Sequence, residues 1–154
     1  MSLISFKDIK QLLGAYRARN FKLVFTNGCF DLLHTGHLDL LSNAAEFGDK
    51  LFVGLNSDTS VKKLKGDSRP KQNERTRAQN LLELKYVNHV IIFEDLTPQK
   101  LIHAISPDVL VKGGDYKKSE IVGAKHVISS GGVVKIVPLT PGFSTTSIIE
   151  KSSN

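Results

Sequence analysis

Short apolar runs alternate with segments of helical period along this chain, and that alternation restricts the fold more than any other feature of the sequence. Runs of strand length occupy residues 21–26, 50–56, 89–93, 108–113 and 133–139. They are rich in Val, Ile, Leu and Phe without regular polar alternation, as expected of parallel strands that are buried on both faces. Because helical segments separate the runs, we predict an α/β fold with a parallel sheet of about five strands.

The helical segments carry their own start and stop signals. Thr97 is a candidate N-cap with Pro98 at the first helical position, and the Gly pair at 131–132 is a typical helix stop. Lysines gather at 61–71 and 111–118 together with Gly and Asp, which indicates loops rather than a basic helix face. We therefore predict helices within residues 1–20, 36–47, 73–85, 97–105 and 118–132, with 65–73 as the longest loop.

Length and composition are those of one globular domain. The 154 residues match the usual size of a single domain, so we expect one domain over 1–154. Cys29 is the one cysteine, which excludes an internal disulfide and favours a reducing compartment. No apolar run approaches the ~20 residues of a membrane helix, and the N-terminus lacks a signal-peptide core. We expect a cytoplasmic protein without membrane contact.

The stretch NGCFDLLHTGH, residues 27–37, has the features of a phosphate-binding turn. It follows the first apolar run and opens a helix near Gly36, where free N–H groups and the positive helix dipole favour phosphate. Gly28 and Gly36 allow the backbone to approach a ligand closely. His34 and His37 are three residues apart, so they can face one side and donate ring N–H groups to phosphate. Ligands of open α/β sheets lie beyond the carboxyl ends of strands, where this stretch falls.

Other interpretations of this stretch fit the residues less well. Two histidines at this spacing could bind zinc, but no further Cys or His with ligand spacing lies nearby, so we expect no protein metal site. Cys29 in a tight turn is more simply a small packing residue than a nucleophile. The P-loop and the Gly-x-Gly-x-x-Gly fingerprint are absent. The net charge of +6 admits a nucleic-acid-binding domain, but the interleaved aromatic residues of such domains are missing.

The segment TNGCFDLLHTGH, residues 26–37, resembles the signature of the cytidylyltransferase-like nucleotidyltransferases, whose His-x-Gly-His motif binds nucleotide triphosphates. LKGDSRP at 64–70, PDVLVKGGDY at 107–116 and STTSII at 144–149 are similar to the adenylyltransferase domain of ADP-heptose synthase. The resemblance covers about residues 23–151 and implies a Rossmann-like three-layer sandwich. It also implies transfer of AMP from ATP to D-glycero-β-D-manno-heptose 1-phosphate, for lipopolysaccharide core synthesis. A CTP-dependent glycerol-3-phosphate cytidylyltransferase is the alternative.

The resemblance also implies roles for individual residues. The catalytic residues that it implies are His34, His37, Arg77 and Lys65, with Lys62 and Lys63 as alternatives to Lys65. The sugar-phosphate-binding residues that it implies are Asp31, Asn56, Asp58 and Arg69. The ATP-binding residues that it implies are Thr26, Asn27, Gly28, Cys29, Phe30, Gly36, Gly113, Gly114, Asp115, Ser144, Thr145 and Thr146.

The implied reaction needs positioning more than acid–base catalysis. A sugar phosphate is already ionised at neutral pH, so it attacks the α-phosphorus without a general base, and the protein must hold two anions together. Lys65 would offset their repulsion, and Arg77 would clamp phosphate with two N–H groups. Asp31, Asp58 and Asp115 would accept bonds from sugar hydroxyls or orient the cations. We expect Mg²⁺ on the triphosphate, held mainly by phosphates and water.

Some of these assignments have ordinary structural alternatives. Residues 61–65 could form only a solvated basic face, Asp58 could be a turn residue, and the serine and threonines at 144–146 could be a helix N-cap. A regulatory module that binds nucleotide without turnover stays open, although His34 and His37 favour an enzyme. The quaternary state also stays open, because relatives often pair through the sheet edge or the loop after the second strand.

Overall fold

The computed structural model describes residues 2–114 and 117–138, which form a six-stranded parallel sheet flanked by helices. The strands are β1 (Ser2–Leu3), β2 (Leu23–Gly28), β3 (Lys50–Asn56), β4 (His89–Phe93), β5 (Val109–Gly113) and β6 (Val133–Val137). The helices are α1 (Ile9–Ala18), α2 (Thr35–Glu46), α3 (Asp58–Lys65), α4 (Glu74–Leu82), α5 (Gln99–Ile105) and α6 (Ala124–Ser129), with a short 3₁₀ helix at Lys118–Glu120.

Alternate strand residues face opposite sides of the sheet and build two cores. Phe25 and Phe52 pack with residues of α1, α5 and α6 on one face. Val24 and Val53 pack with residues of α2 and α4 on the other face. All four of these strand side chains are completely buried, as expected of parallel strands covered on both faces. The predicted three-layer sandwich is therefore confirmed.

The strand order β1-β4-β3-β2-β5-β6 creates a crevice next to β2. From β2 the chain builds outward through β3 to β4, and then it returns past β2 to form β5 and β6. The direction of winding therefore changes between β2 and β5. Ligands of open α/β sheets bind at such a point, beyond the carboxyl ends of the strands. The residues that follow β2, β3 and β5 thus lie around one crevice.

Strand β1 is an addition to the five strands predicted from the sequence. Ser2 and Leu3 pair with His89 and Val90 of β4. The Ser2 hydroxyl lies 3.1 Å from Nδ1 of His89, and the Tyr16 hydroxyl lies 2.7 Å from its Nε2. The buried imidazole of His89 therefore connects β1 and α1 to the sheet. Strand β1 was not predicted because two paired residues are too few to show a period in the sequence.

The prediction of a loop over the lysine-rich residues 61–71 was wrong for its first part. Residues up to Lys65 belong to α3, whose N-cap Ser57 accepts a hydrogen bond from the Ser60 N–H at 3.1 Å. Gly66, with φ of +100°, follows the last helical residue. Lys65 therefore stands at the end of a helix, and the loop begins after it.

Smaller differences concern the ends of other elements. Helix α5 begins at Gln99 with Pro98 as its cap, one residue later than predicted. The helix predicted within 118–132 is divided into the 3₁₀ helix and α6, because Gly123 before α6 has φ of +84°. The predicted stop at 131–132 is confirmed, with Gly131 at φ of +89°. Within residues 2–114 and 117–138, no helix is both long and apolar enough to cross a membrane.

Candidate active site

The first turn of α2 brings the two signature histidines into contact. His34 is the N-cap of α2, and its Nδ1 accepts a hydrogen bond from the His37 N–H at 3.3 Å. The two imidazole rings stack with centroids 3.7 Å apart and planes 20° apart. The Phe30 ring packs edge-on against His37, with centroids 5.2 Å apart. The predicted placement of both histidines on one side is confirmed.

The protonation state of this pair follows from its surroundings. Because Nδ1 of His34 accepts a hydrogen bond, the neutral His34 ring carries its proton on Nε2. Burial lowers the pKa of His34. Burial also lowers the pKa of His37 to about 4, helped by charge on His34 and Lys65 and opposed by a hydrogen bond with the Leu32 backbone. Both rings are therefore neutral near pH 7, where each carries a single N–H group.

The carboxyl end of β2 lies next to this turn. The predicted strand ended at Thr26 and the turn began at Asn27, but Asn27 and Gly28 are the last two residues of β2. The buried Thr26 hydroxyl makes no hydrogen bond within the part of the chain that the structure describes. A Cβ at Gly28 would lie 3.0 Å from Cε2 of Phe30, so a larger residue here would require the Phe30 ring to shift.

Cys29 follows β2 and is partly buried among cations. Burial raises the pKa of its thiol, although the positive charges of Lys65, Arg77 and Arg69 oppose that shift. The thiol is therefore protonated near pH 7. A protonated thiol is a poor nucleophile, which favours the interpretation of Cys29 as a packing residue.

Asp31 connects the turn after β2 to the loop after α3 through hydrogen bonds. Its fully buried carboxylate accepts hydrogen bonds from Nε of Arg69 at 2.8 Å and from the backbone N–H groups of Lys71 and Gln72. Burial raises the pKa of this carboxyl, but the three donors outweigh burial and hold the pKa below its usual value. Asp31 therefore orients Arg69, and its complete burial removes it from contact with a substrate hydroxyl.

Arg77 joins three segments beneath the crevice. This α4 side chain is fully buried, and its Nη1 donates to the carbonyl oxygens of Cys29 and Asn56, each at 2.8 Å. Its Nη2 donates to the Asp58 carboxylate at 2.7 Å, and its Nε donates to the Gln72 carbonyl at 2.9 Å. The guanidinium is thus enclosed by protein groups, which corrects the expectation that it clamps phosphate.

The remaining predicted residues lie at several places around the crevice. Lys65 is exposed at the end of α3, near enough to His37 and Cys29 for its charge to act on both groups. Gly36 is buried in the first turn of α2, Gly113 ends β5, and Gly114 follows with φ of +109°. The predictions for Asp115, Ser144, Thr145 and Thr146 lie outside the described residues.

Lys112 belongs to the PDVLVKGGDY segment, but no role was predicted for this lysine from the sequence. It lies in β5 one residue before its end, is partly buried, and interacts electrostatically with the Cys29 thiol. Burial lowers the pKa of its ammonium group. The sequence offered one signal, a lysine inside an otherwise apolar run of strand length at the carboxyl end of the strand.

The six-stranded parallel sheet, with helices on both faces and a change of winding beside β2, is that of a Rossmann-like α/β domain. The chain belongs to the cytidylyltransferase-like family, whose model matches residues 25–151. Its relatives include the bifunctional protein HldE of Koribacter versatilis (strain Ellin345), which is 52% identical over 97% of this chain. Bifunctional protein HldE of Haemophilus influenzae (strain PittEE) is 49% identical over the same share. The chain spans 31% of the length of each of these two curated relatives.

Solved structures share the fold. A lipopolysaccharide core biosynthesis protein from Thermoplasma volcanium GSS1 matches with a TM-score of 0.63 and 28% identity, over 78% of this chain and 97% of that protein. Pantoate-beta-alanine ligase from Francisella tularensis matches with a TM-score of 0.65 over 98% of this chain and 73% of its own. The ligase is 16% identical, so it shows the fold alone.

Proposed function

We propose that this chain transfers AMP from ATP to D-glycero-β-D-manno-heptose 1-phosphate, with ADP-heptose and pyrophosphate as products. The observation that carries the proposal is the stacked pair of His34 and His37 at the start of α2, where a helix N-terminus meets the crevice. The choice of sugar is supported by the GDSRP and VKGGDY segments and by identity of 52% with a bifunctional HldE protein along 97% of this chain.

In the proposed reaction, an oxygen of the sugar phosphate bonds to the α-phosphorus of ATP. The bond from that phosphorus to the oxygen bridging to the β-phosphate breaks, and pyrophosphate leaves with the electron pair. His34 and His37 donate N–H groups to phosphate oxygens on which negative charge increases. A hydrogen bond to a charged group contributes about 1.5–3 kcal/mol, so each ring would accelerate transfer by one to two orders of magnitude.

The cations near the crevice take separate roles in this proposal. Lys65 offsets repulsion between the two anionic substrates, since its charge already reaches His37 and Cys29. Arg69 is held through Nε by Asp31, while its buried Nη2 makes no hydrogen bond to a described residue and can bind the sugar phosphate. Arg77 is a positioning residue that holds the backbone around the substrates.

Asn56 and Asp58 lie where β3 leads into α3. Asn56 is buried, and its carbonyl oxygen is held by Arg77. The Asp58 carboxylate is partly exposed and accepts from Arg77. We propose that the exposed side of Asp58 faces the sugar hydroxyls while its bond to Arg77 orients it.

Magnesium would accompany ATP in this reaction and would neutralise part of the triphosphate charge. Within the described residues, no group of three or more His, Cys, Asp or Glu side chains is arranged to hold a metal ion. The groups around the α2 turn are N–H donors and ammonium cations, which do not ligate magnesium. We propose that the ion is held mainly by phosphate oxygens and water, as is usual for magnesium with a nucleotide.

Two small anionic substrates require neither nucleic acid nor a membrane surface. The free thiol of Cys29 fits a reducing compartment, and we place the proposed reaction in the cytoplasm. A homodimer remains a prediction that rests on the resemblance.

A substrate panel tests the proposed function. The protein is incubated with ATP or CTP and with heptose 1-phosphate, glucose 1-phosphate or glycerol 3-phosphate, and pyrophosphate release is followed. We expect the highest turnover with ATP and heptose 1-phosphate. Faster turnover with CTP and glycerol 3-phosphate would favour the cytidylyltransferase alternative, and binding without any pyrophosphate release would indicate a regulatory module.

A further inference from the structure

Phe30 has a backbone conformation that aromatic residues rarely adopt. Its φ is +45°, in the left-handed region, where contact between Cβ and the backbone disfavours every residue except glycine. Such a conformation costs free energy, so it persists only where the surrounding structure imposes it. Strained residues of this kind are concentrated at active sites and ligand-binding sites.

Hydrogen bonds on both sides of Phe30 hold this conformation. Before it, the Cys29 carbonyl oxygen accepts from Nη1 of Arg77 at 2.8 Å. After it, the fully buried Asp31 carboxylate accepts from Nε of Arg69 at 2.8 Å. The two arginines belong to α4 and to the loop before it. The turn is therefore fixed by segments that are distant in sequence, and not by the preference of its own residues.

The fixed turn directs the Phe30 ring into the protein and against His37. The centroids of the two rings are 5.2 Å apart, and their planes differ by 68°. Cε2 of Phe30 lies 3.0 Å from where a Cβ at Gly28 would be, so the ring occupies space beside that glycine. Phe30 is 4% exposed. Because its ring is enclosed by protein, the ring can act on a ligand only through the residues that it contacts.

The His37 ring has aromatic neighbours in two directions. His34 stacks against it with centroids 3.7 Å apart, and Phe30 makes the edge-to-face contact. Edge-to-face packing is a preferred arrangement of aromatic rings, so it favours one orientation of the His37 imidazole over others. A hydrogen-bond donor stabilises developing charge best when it is held in the direction of that charge before the reaction begins.

We propose that Phe30 is a positioning residue, whose ring holds the His37 imidazole in the orientation that donates to the triphosphate. This inference rests on the proposed function, because it assumes that His37 donates to ATP. It also gives the strained backbone a purpose, since a relaxed φ would turn the Phe30 ring away from His37. Phe30 then contributes to ATP binding through His37 and not through contact of its own ring with the nucleotide.

A double-mutant cycle tests this role. Phe30→Leu keeps an apolar side chain and removes the aromatic edge. The kcat/KM for ATP, measured as pyrophosphate release with heptose 1-phosphate, should fall roughly 2–10-fold, as for the loss of one edge-to-face contact. In a His37→Ala background, Phe30→Leu should cause no further loss, because the imidazole that it orients is gone. Equal losses in the two backgrounds would overturn the assignment.

A matched control separates positioning from packing. Phe25 is fully buried in β2 and packs on the other face of the sheet, with residues of α1, α5 and α6. Phe25→Leu and Phe30→Leu should lower the thermal midpoint by similar amounts, whereas only Phe30→Leu should lower kcat/KM. Equal kcat/KM values for the two variants would overturn the assignment.

A second substitution covers the case in which Phe30→Leu does not fold. Phe30→Met has an unbranched apolar side chain and takes its place in the same cycle, with the same expected result. Failure of both variants to fold, shown by circular dichroism, would make Phe30 a structural residue and would overturn the proposal.

Binding of an ATP analogue that cannot be cleaved, measured by calorimetry without sugar phosphate, distinguishes this inference from the proposed function. Phe30→Leu should weaken binding in the wild-type background and not in the His37→Ala background. That result without adenylyl transfer to heptose 1-phosphate would uphold the role of Phe30 and reject the proposed sugar substrate. Adenylyl transfer by the wild type, with additive losses in both cycles, would uphold the function and reject the role of Phe30.

Discussion

The imidazole rings of His34 and His37 stack with centroids 3.7 Å apart, and the backbone N–H of His37 donates to Nδ1 of His34. Two positive charges at this distance would repel strongly, and burial disfavours the charged form of each ring. The pair is therefore suited to donate N–H groups in its neutral form. The positive charge that a polyphosphate requires must come from nearby lysines.

Replacing His37 with Ala removes one of these donors. Loss of a hydrogen bond to a charged group costs about 1.5–3 kcal/mol, so adenylyl transfer should slow by roughly 10–100-fold. Pyrophosphate release gives the rate, and circular dichroism shows whether the domain still folds. His103→Ala, at an exposed position of α5, is the control and should leave the rate unchanged. A folded His37→Ala protein with the wild-type rate would contradict the assigned role.

Arg77→Met should destabilise the fold as well as the site. The substitution leaves three carbonyl oxygens and the Asp58 carboxylate without their guanidinium donor. Removing one partner of a buried charged network costs about 3–5 kcal/mol, and urea unfolding measures that loss. Arg75→Met replaces an exposed arginine of α4 that makes none of these contacts. It should change the urea midpoint little. Equal midpoints for the two variants would exclude a positioning role for Arg77.

Asp31 and Arg69 should be energetically coupled. Asp31→Ala leaves a buried guanidinium and two backbone N–H groups without their acceptor, so we expect a loss of about 3–5 kcal/mol in unfolding free energy. Arg69→Ala and the double variant complete a double-mutant cycle in urea. Residues in one network couple by about 0.5–3 kcal/mol, so the double variant should lose less than the two single losses combined. Additive losses would show that the ion pair is not the main contact of either residue.

Mild acid should destabilise the protein through His37 and His89. Burial is the main cause that lowers the pKa of each ring to about 4 in the folded protein, from an ordinary value of 6.5. Between these values the unfolded chain binds more protons, so the unfolding free energy falls as the pH drops from neutral. Each ring should account for on the order of 1–2 kcal/mol of the loss by about pH 5.

Urea unfolding near neutral pH and near pH 5 measures this dependence. His37→Gln and His89→Gln should each reduce the difference between the two conditions, because glutamine does not titrate. His103→Gln, on the exposed face of α5, should leave the difference as it is in the wild type. A wild-type protein equally stable under both conditions would contradict the lowered pKa values.

The layers of the fold could be predicted because buried parallel strands are apolar along their whole length. Phe25 and Val24 are both completely buried although they face opposite sides of the sheet, so the run that contains them shows no alternation. Helix α3 could not be recognised in the same way. Ser60 and Val61 are its buried residues, and the Ser57 cap rather than an apolar stripe marks its start.

The site was predictable where its contacts are local and not where they are distant in sequence. His34 and His37 are three residues apart at a helix start, so their contact follows from helix geometry. Asp31 and Arg69 are separated by 38 residues, and Arg77 and Cys29 by 48. Those pairings depend on how α3, α4 and the loop between them pack, which a sequence pattern does not specify.

A crystal structure with an ATP analogue that cannot be cleaved between the α- and β-phosphates tests the central claim most directly. The analogue should bind at the first turn of α2, with phosphate oxygens within hydrogen-bond distance of Nε2 of His34 and of the His37 ring. A triphosphate bound elsewhere on the protein, with both imidazoles directed away from it, would contradict the account.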